Sequence, residues 1–216
     1  MYNMTARRAR SSLTPEEILD AAEAVMAGSV ELLTMRAVAT ELGASPMSMY
    51  RYFATKDELV DALLDRVLGR VAVSEATGDW ADDLRRFAQA HRDVLAEHPW
   101  AVLPLFTHPN PGPAATRIGE LAFGILARGG VAGVDAVVAF SGVLALNYGW
   151  AAFSLSRPDA QEKDHVEQMA AALASLPADY FPHTVAVAAE LAQYGSQDHY
   201  DRALDQLLVG VRAAGS

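Results

Sequence analysis

Between Thr34 and Lys56 the apolar positions fall in two short helical sets separated by a glycine. Met35, Val38, Ala39 and Leu42 share one helical face. Thr34 stands where an N-cap hydroxyl can take a free backbone N–H of the first turn, and Gly43 supplies the left-handed residue that ends such a helix. Ser45 then caps a second helix, with Pro46 at its first position. Met49 and Phe53, four apart, point back to the first helix. That leaves Met47, Ser48, Arg51 and Tyr52 facing outward. Upstream, Thr14-Pro15-Glu16-Glu17 opens a helix with a capping box. Ile18, Ala22, Val25 and Met26 form its stripe, and Gly28 ends it. Downstream, Thr55 and Glu58 form a second capping box, followed by the stripe Leu59, Leu63, Val67 and Val71.

The rest of the chain is also helical in pattern. Gly78 marks a break. Residues 80–98 place Leu84, Phe87, Ala88, His91, Val94 and Leu95 on one side. The stretch His98 to Pro113 carries prolines that forbid a regular helix over most of its length, and its large apolar groups mark a packed loop or broken helix rather than a linker. Residues 114–128 form the next helix, stopped by Gly129-Gly130. Residues 136–156 contain no charge at all, which suits a bilayer span, a central core helix or a dimer helix; Ser141, Asn147, Gly149 and Ser154 favour the packing roles. The small residues Ala139, Gly142, Ala145 and Gly149 would admit a close helix. After a polar loop at 157–163, helices are expected over 166–176, 184–194 and 200–211, the last with Leu204, Leu207, Leu208 and Val211 inward. No strand pattern and no repeat is present. The expected fold is all-α, with about nine or ten helices: a three-helix helix-turn-helix domain over residues 1–70 and a larger helical bundle over 71–216.

Charge sharpens this division. The formal net charge is -10, yet residues 1–56 hold six basic and six acidic residues and balance to zero. The acidic excess lies wholly in the remainder, so Arg7, Arg8, Arg10, Arg36, Arg51 and Lys56 can form a local basic surface. Residues 1–12 read as a flexible basic tail, or as an arm that orders on a polyanion. Lys56 opposes the helix dipole in its first turn, a conflict that a bound phosphate would remove. The chain has no cysteine, and no apolar run follows the N-terminal arginines as it would in a signal peptide.

The residues Leu33-Thr34-Met35-Arg36, Val38-Ala39, Leu42-Gly43, Met49-Tyr50-Arg51-Tyr52-Phe53 and Lys56-Asp57-Glu58-Leu59 resemble the N-terminal domain of the TetR family of bacterial transcriptional repressors. The segment HPWAVLPLF with the uncharged helix after it resembles the C-terminal domain of the tetracycline-repressor branch. The resemblance implies a homodimeric, cytoplasmic repressor of a palindromic double-stranded DNA operator, with a small-molecule effector and no membrane partner. By motif position it places Arg36, Pro46, Met47 and Ser48, at a reading helix begun by Ser45, against bases. Thr34, Tyr50, Tyr52 and Lys56 face phosphates, and Arg51 does either. The helix beginning at Thr55 is the expected lever between the two parts.

The histidines show no metal spacing, no Gly-rich phosphate loop occurs, and no cofactor is called for. Phe87, His91, Trp100, Phe106, Phe123, Asn147 and Trp150 are candidates to line an effector pocket, with plain core packing as the alternative for each. An enzyme using that pocket is the competing functional reading, although no nucleophile with its base is evident.

Overall fold

The computed structural model describes residues 13–26, 29–73, 75–108, 112–156 and 162–214. The N-terminal arm, Gly28 and most of the 157–163 loop lie outside these residues. Among them the chain is all-α: α1 Pro15–Met26, α2 Met35–Glu41, α3 Pro46–Met49, α4 Lys56–Leu68, α5 Trp80–Glu97, α6 Val102–Thr107, α7 Pro113–Arg128, α8 Gly133–Ser156, α9 Lys163–Ala174, α10 Pro182–Ala186, α11 Ala188–Ala192 and α12 Gln197–Ala214.

Local hydrogen bonds set the starts of the first four helices. The Thr14 N–H donates to Glu17 Oε2 at 3.0 Å and the Glu17 N–H returns to Thr14 Oγ1 at 3.2 Å, closing the capping box. Thr34 Oγ1 accepts from Ala37 N at 3.0 Å, Ser45 Oγ from Ser48 N at 3.3 Å, and Thr55 Oγ1 from Glu58 N at 3.1 Å. Glu58 reaches back one residue further than a capping box requires, accepting from Ala54 N at 2.7 Å. Gly43 has φ 61, the left-handed turn between α2 and α3.

The core runs continuously from α1 to α12. Met49 and Phe53 are buried, with α3 packed on α2, as their spacing predicts. α4 is buried more widely than its single stripe implied: Val60, Leu64 and Leu68 join Leu59, Leu63 and Val67, because α1 and α7 pack on its two sides. Val25, Val71 and Leu207 are only half-buried. α8 is packed by α5, α7 and α12 along Ala136, Ala139, Val143 and Asn147. Over residues 133–154 it is long and apolar enough to cross a membrane by length and composition alone, as a packed core helix also is. Gly142 lets α12 close in, since a Cβ there would stand 3.1 Å from Leu207 Cδ1.

A turn of 3-10 helix at Val30–Leu32, capped by Ser29, joins α1 to α2 and was not expected. The proline stretch is a broken helix, a 3-10 turn at Pro99–Ala101 followed by α6. Pro99 and Pro113 sit at first helical positions and Pro104 in a first turn, where a missing N–H costs nothing. The helix expected over 184–194 is broken at Val187 (φ -119) into α10 and α11. These two short helices fold back along α9, which has no buried residue of its own.

Candidate functional site

The predicted DNA-facing residues fall into two groups. The first has its polar atoms committed to the fold. Thr34 and Ser45 use their hydroxyl oxygens as caps, and Ser48 Oγ donates to Ser45 O at 2.5 Å, leaving Ser48 only acceptor capacity outward. Tyr52, expected to face outward, is half-buried against the core. The second group is free. Arg36, Met47, Tyr50, Arg51 and Lys56 are exposed, and their side chains make no hydrogen bond or ion pair among the described residues. Met47 is 75% exposed, next to the exposed ring face of Pro46. Three basic groups, a phenol and a thioether therefore project from α2, α3 and the first turn of α4 with no internal use.

α4 ties this region to the rest of the molecule from both sides. Toward α1, Arg66 Nη2 meets Asp20 Oδ1 at 2.5 Å, and Arg70 Nη2 donates to Glu23 at 3.0 and 3.2 Å. Arg70 also contacts the His98 ring; burial, then the guanidinium, hold His98 below the usual imidazole range. Toward α6 and α7, His108 Nδ1 donates to Asp61 Oδ1 at 2.5 Å. Asp65 Oδ1 accepts the Ala114 and Ala115 N–H groups at 2.7 and 3.1 Å. The N-cap position of α7 is Gly112, which has no side chain to offer, so α4 supplies the cap. The approach needs glycine: a Cβ on Gly112 would lie 2.7 Å from Asp65 Cγ.

The expected pocket residues divide around a buried polar node. Asn147, fully buried, donates from Nδ2 to Ala88 O at 2.9 Å and to His91 Nδ1 at 3.0 Å. Its Oδ1 accepts from the Tyr200 hydroxyl at 2.7 Å. On one side lie rings in series: Phe123 on Phe140 (5.1 Å between centroids), Phe140 on Phe87 (6.4 Å), Phe87 on His91 (6.4 Å), His91 on Tyr148 (5.6 Å) and Tyr148 on Phe106 (5.7 Å). On the other side, Trp150 and Arg92 pack on the Tyr200 ring and line a cavity of about 330 Å³ between α5, α8 and the start of α12. Its size is at the lower end for small-molecule sites. Trp100 belongs to neither group and packs on the core. Phe140, Tyr148, Arg92 and Tyr200 were not foreseen. Burial depresses His91 to about 4 and raises Tyr148 to about 12, so both are neutral near pH 7. Among the described residues no three His, Cys, Asp or Glu side chains gather as a metal site would require.

Two family models match the chain: bacterial regulatory proteins of the tetR family over residues 18–63, and the tetracyclin repressor-like C-terminal domain over residues 74–214. An HTH-type transcriptional regulator of Saccharopolyspora erythraea is 31% identical over 210 residues, 95% of this chain and 87% of that protein. An HTH-type transcriptional repressor of Mycobacterium tuberculosis is 31% identical over 145 residues, 63% of this chain and 56% of its own length. Among solved structures, apo ActR from Streptomyces coelicolor superposes with a TM-score of 0.86 at 25% identity, covering 96% of this chain and 98% of that one. ActR in complex with actinorhodin gives 0.85 at 25% identity, covering 95% and 100%.

Proposed function

The chain belongs to the TetR family of bacterial regulatory proteins, and on that premise we propose that it is a homodimeric cytoplasmic repressor released from a palindromic operator by a small-molecule effector. Residues 1–70 read DNA and residues 71–216 dimerise and bind the effector. Arg36 and Arg51 make the sequence-reading contacts, with Met47 against thymine methyl groups, while Tyr50 and Lys56 take phosphates. Ser48 can only accept from a base edge, and Thr34, Ser45, Pro46 and Tyr52 shape the surface more than they read it.

The observation that carries this reading is the double attachment of α4. One end begins at Lys56 beside the reader; further along, Asp61 and Asp65 hold α6 and α7. An effector that shifts α6 or α7 must drag α4 or break these bonds. In a dimer the two reading helices must lie about 34–36 Å apart to enter successive major grooves. A ligand favouring another separation lowers DNA affinity, and DNA lowers its affinity by the same factor. The family likeness to ActR, solved with actinorhodin and with (S)-DNPA, supports a small-molecule effector. For the dimer, α8 offers exposed Val134, Val137 and Val138 beside Ser141 and Ala145, and α12 offers Val209. Such an apolar surface is suited to a second copy.

Selection from random duplex DNA tests the reading. A palindromic site should be enriched, and Arg51→Ala or Arg36→Ala should relax sequence choice at one position in each half-site. If nothing is enriched even at low salt, the reader assignment is wrong.

A further inference from the structure

Resting on the effector reading above, we infer that the C-terminal domain selects an uncharged, flat aromatic molecule bearing a hydrogen-bond acceptor, and that the Nε2–H of His91 is the group that receives it.

The proton's place follows from the Asn147 node. Tyr200 has only one hydroxyl hydrogen, and it goes to Asn147 Oδ1. Ala88 O can only accept, which fixes the neighbouring amide atom as Nδ2. Nδ2 therefore spends its second hydrogen on His91 Nδ1, at 3.0 Å. A neutral imidazole that accepts at Nδ1 carries its hydrogen at Nε2. His91 is neutral, since burial holds it near 4. Its ring is 1% exposed, and Nε2 has no hydrogen-bond partner among the described residues. A buried donor without a partner costs on the order of 1–3 kcal/mol, so an incoming acceptor recovers stabilisation that the empty protein lacks.

The surroundings define the rest of the molecule. His91 sits within the ring series, with Phe87 nearly parallel at 21° and Tyr148 edge-on. Tyr148 stays protonated and its hydroxyl makes no hydrogen bond among the described residues, so it offers a second neutral donor. These rings pack on one another, and a flat ring inserted among them would keep their face and edge contacts. They provide no counter-charge, so an ionised group placed there would lose hydration without compensation. The series also reaches the surface. Phe87 is fully buried, Tyr148 half-buried, and Phe106 on α6 is 59% exposed. A ligand parting Phe106 from Tyr148 would push on α6 two residues before His108, the residue that holds Asp61 of α4.

The probes are 9-fluorenone and fluorene, which share a planar frame and differ by one carbonyl. The full-length protein, labelled with 15N-histidine, should show His91 protonated at Nε2. Fluorenone should bind about tenfold more tightly than fluorene, which is one good hydrogen bond, and should shift the Nε2–H signal. His91→Phe should abolish the preference while the melting profile confirms folding. Protonation at Nδ1, equal affinity for the two probes, or binding of neither overturns the assignment, and the first two need no variant. Operator release is read separately: if fluorenone engages His91 and the operator stays bound, the release mechanism falls and the recognition group stands.

Discussion

Asp65 of α4 acts as the N-cap of a helix 49 residues away: its Oδ1 takes the N–H of Ala114 at 2.7 Å, in a place that Gly112 leaves empty. A carboxylate at a helix N-terminus satisfies free donors and complements the helix dipole together. Asp65→Ala should therefore lower stability by about 1 kcal/mol, within the range for cap deletions, and Asp65→Asn should recover part of it. Urea denaturation of the three proteins measures this directly.

Gly112→Ala attacks the same contact from the other partner. The new methyl would have to displace the Asp65 carboxylate, whose Cγ lies 2.7 Å from the ideal Cβ position. The loss should again be about 1 kcal/mol. The double variant should be little worse than either single one, because the two residues share one interaction. Fully additive losses would show that the cap is not what the glycine protects.

His91 predicts a pH dependence of known sign. Its folded value is about 4 against an unfolded 6.5, so between those values the unfolded chain binds more protons than the folded one. Its contribution is complete above 6.5 and is lost as pH falls toward 4, by up to about 3 kcal/mol. The difference in unfolding free energy between wild type and His91→Phe, followed from pH 7 to pH 5, should narrow as pH drops. A constant difference would contradict it.

Lys56 stands at the first position of α4 with no partner among the described residues, where a phosphate would complete the helix end. Lys56→Ala should weaken DNA binding on all sequences alike and flatten the slope of log affinity against log salt by about one. A change in sequence preference would assign it to base reading instead.

The valines on α8 give a fourth surface to test. Val138→Lys should convert a species of twice 23.1 kDa into one of 23.1 kDa by sedimentation, leaving helix content unchanged. A variant that remains dimeric places the interface elsewhere.

What could be read from the chain was local. The caps at Thr14, Thr34, Ser45 and Thr55 each join residues three apart, so short-range spacing reveals them. The inward face of α5 was legible for the same reason, because its apolar positions alternate cleanly with charges. The Asp65 cap was not legible, since nothing near Asp65 or Ala114 announces a partner 49 residues away. Phe140 and Tyr148 were missed because α8 is apolar nearly all round and gives periodicity no face to detect. Trp100 was named among the pocket candidates, and it packs half-buried against the core, apart from both the ring series and the cavity. The break at Val187 depends on how α10 and α11 fold along α9, a tertiary choice that helix propensity does not contain.

α9 keeps no residue in the interior, and its hairpin is held at its foot by Tyr194, whose ring meets Phe153 at 4.7 Å and Trp150 at 6.2 Å. Segments with little buried apolar area open locally at a small fraction of the global unfolding free energy. The amides of α9 should accordingly exchange with solvent through such openings long before those of α4 or α5. Gly195 and Gln197, just past the same foot, line the 330 Å³ cavity. Entry of any molecule into that cavity is then timed by how often the hairpin breathes, which is a property of the protein and not of the molecule, so compounds of equal affinity there should stay for similar times.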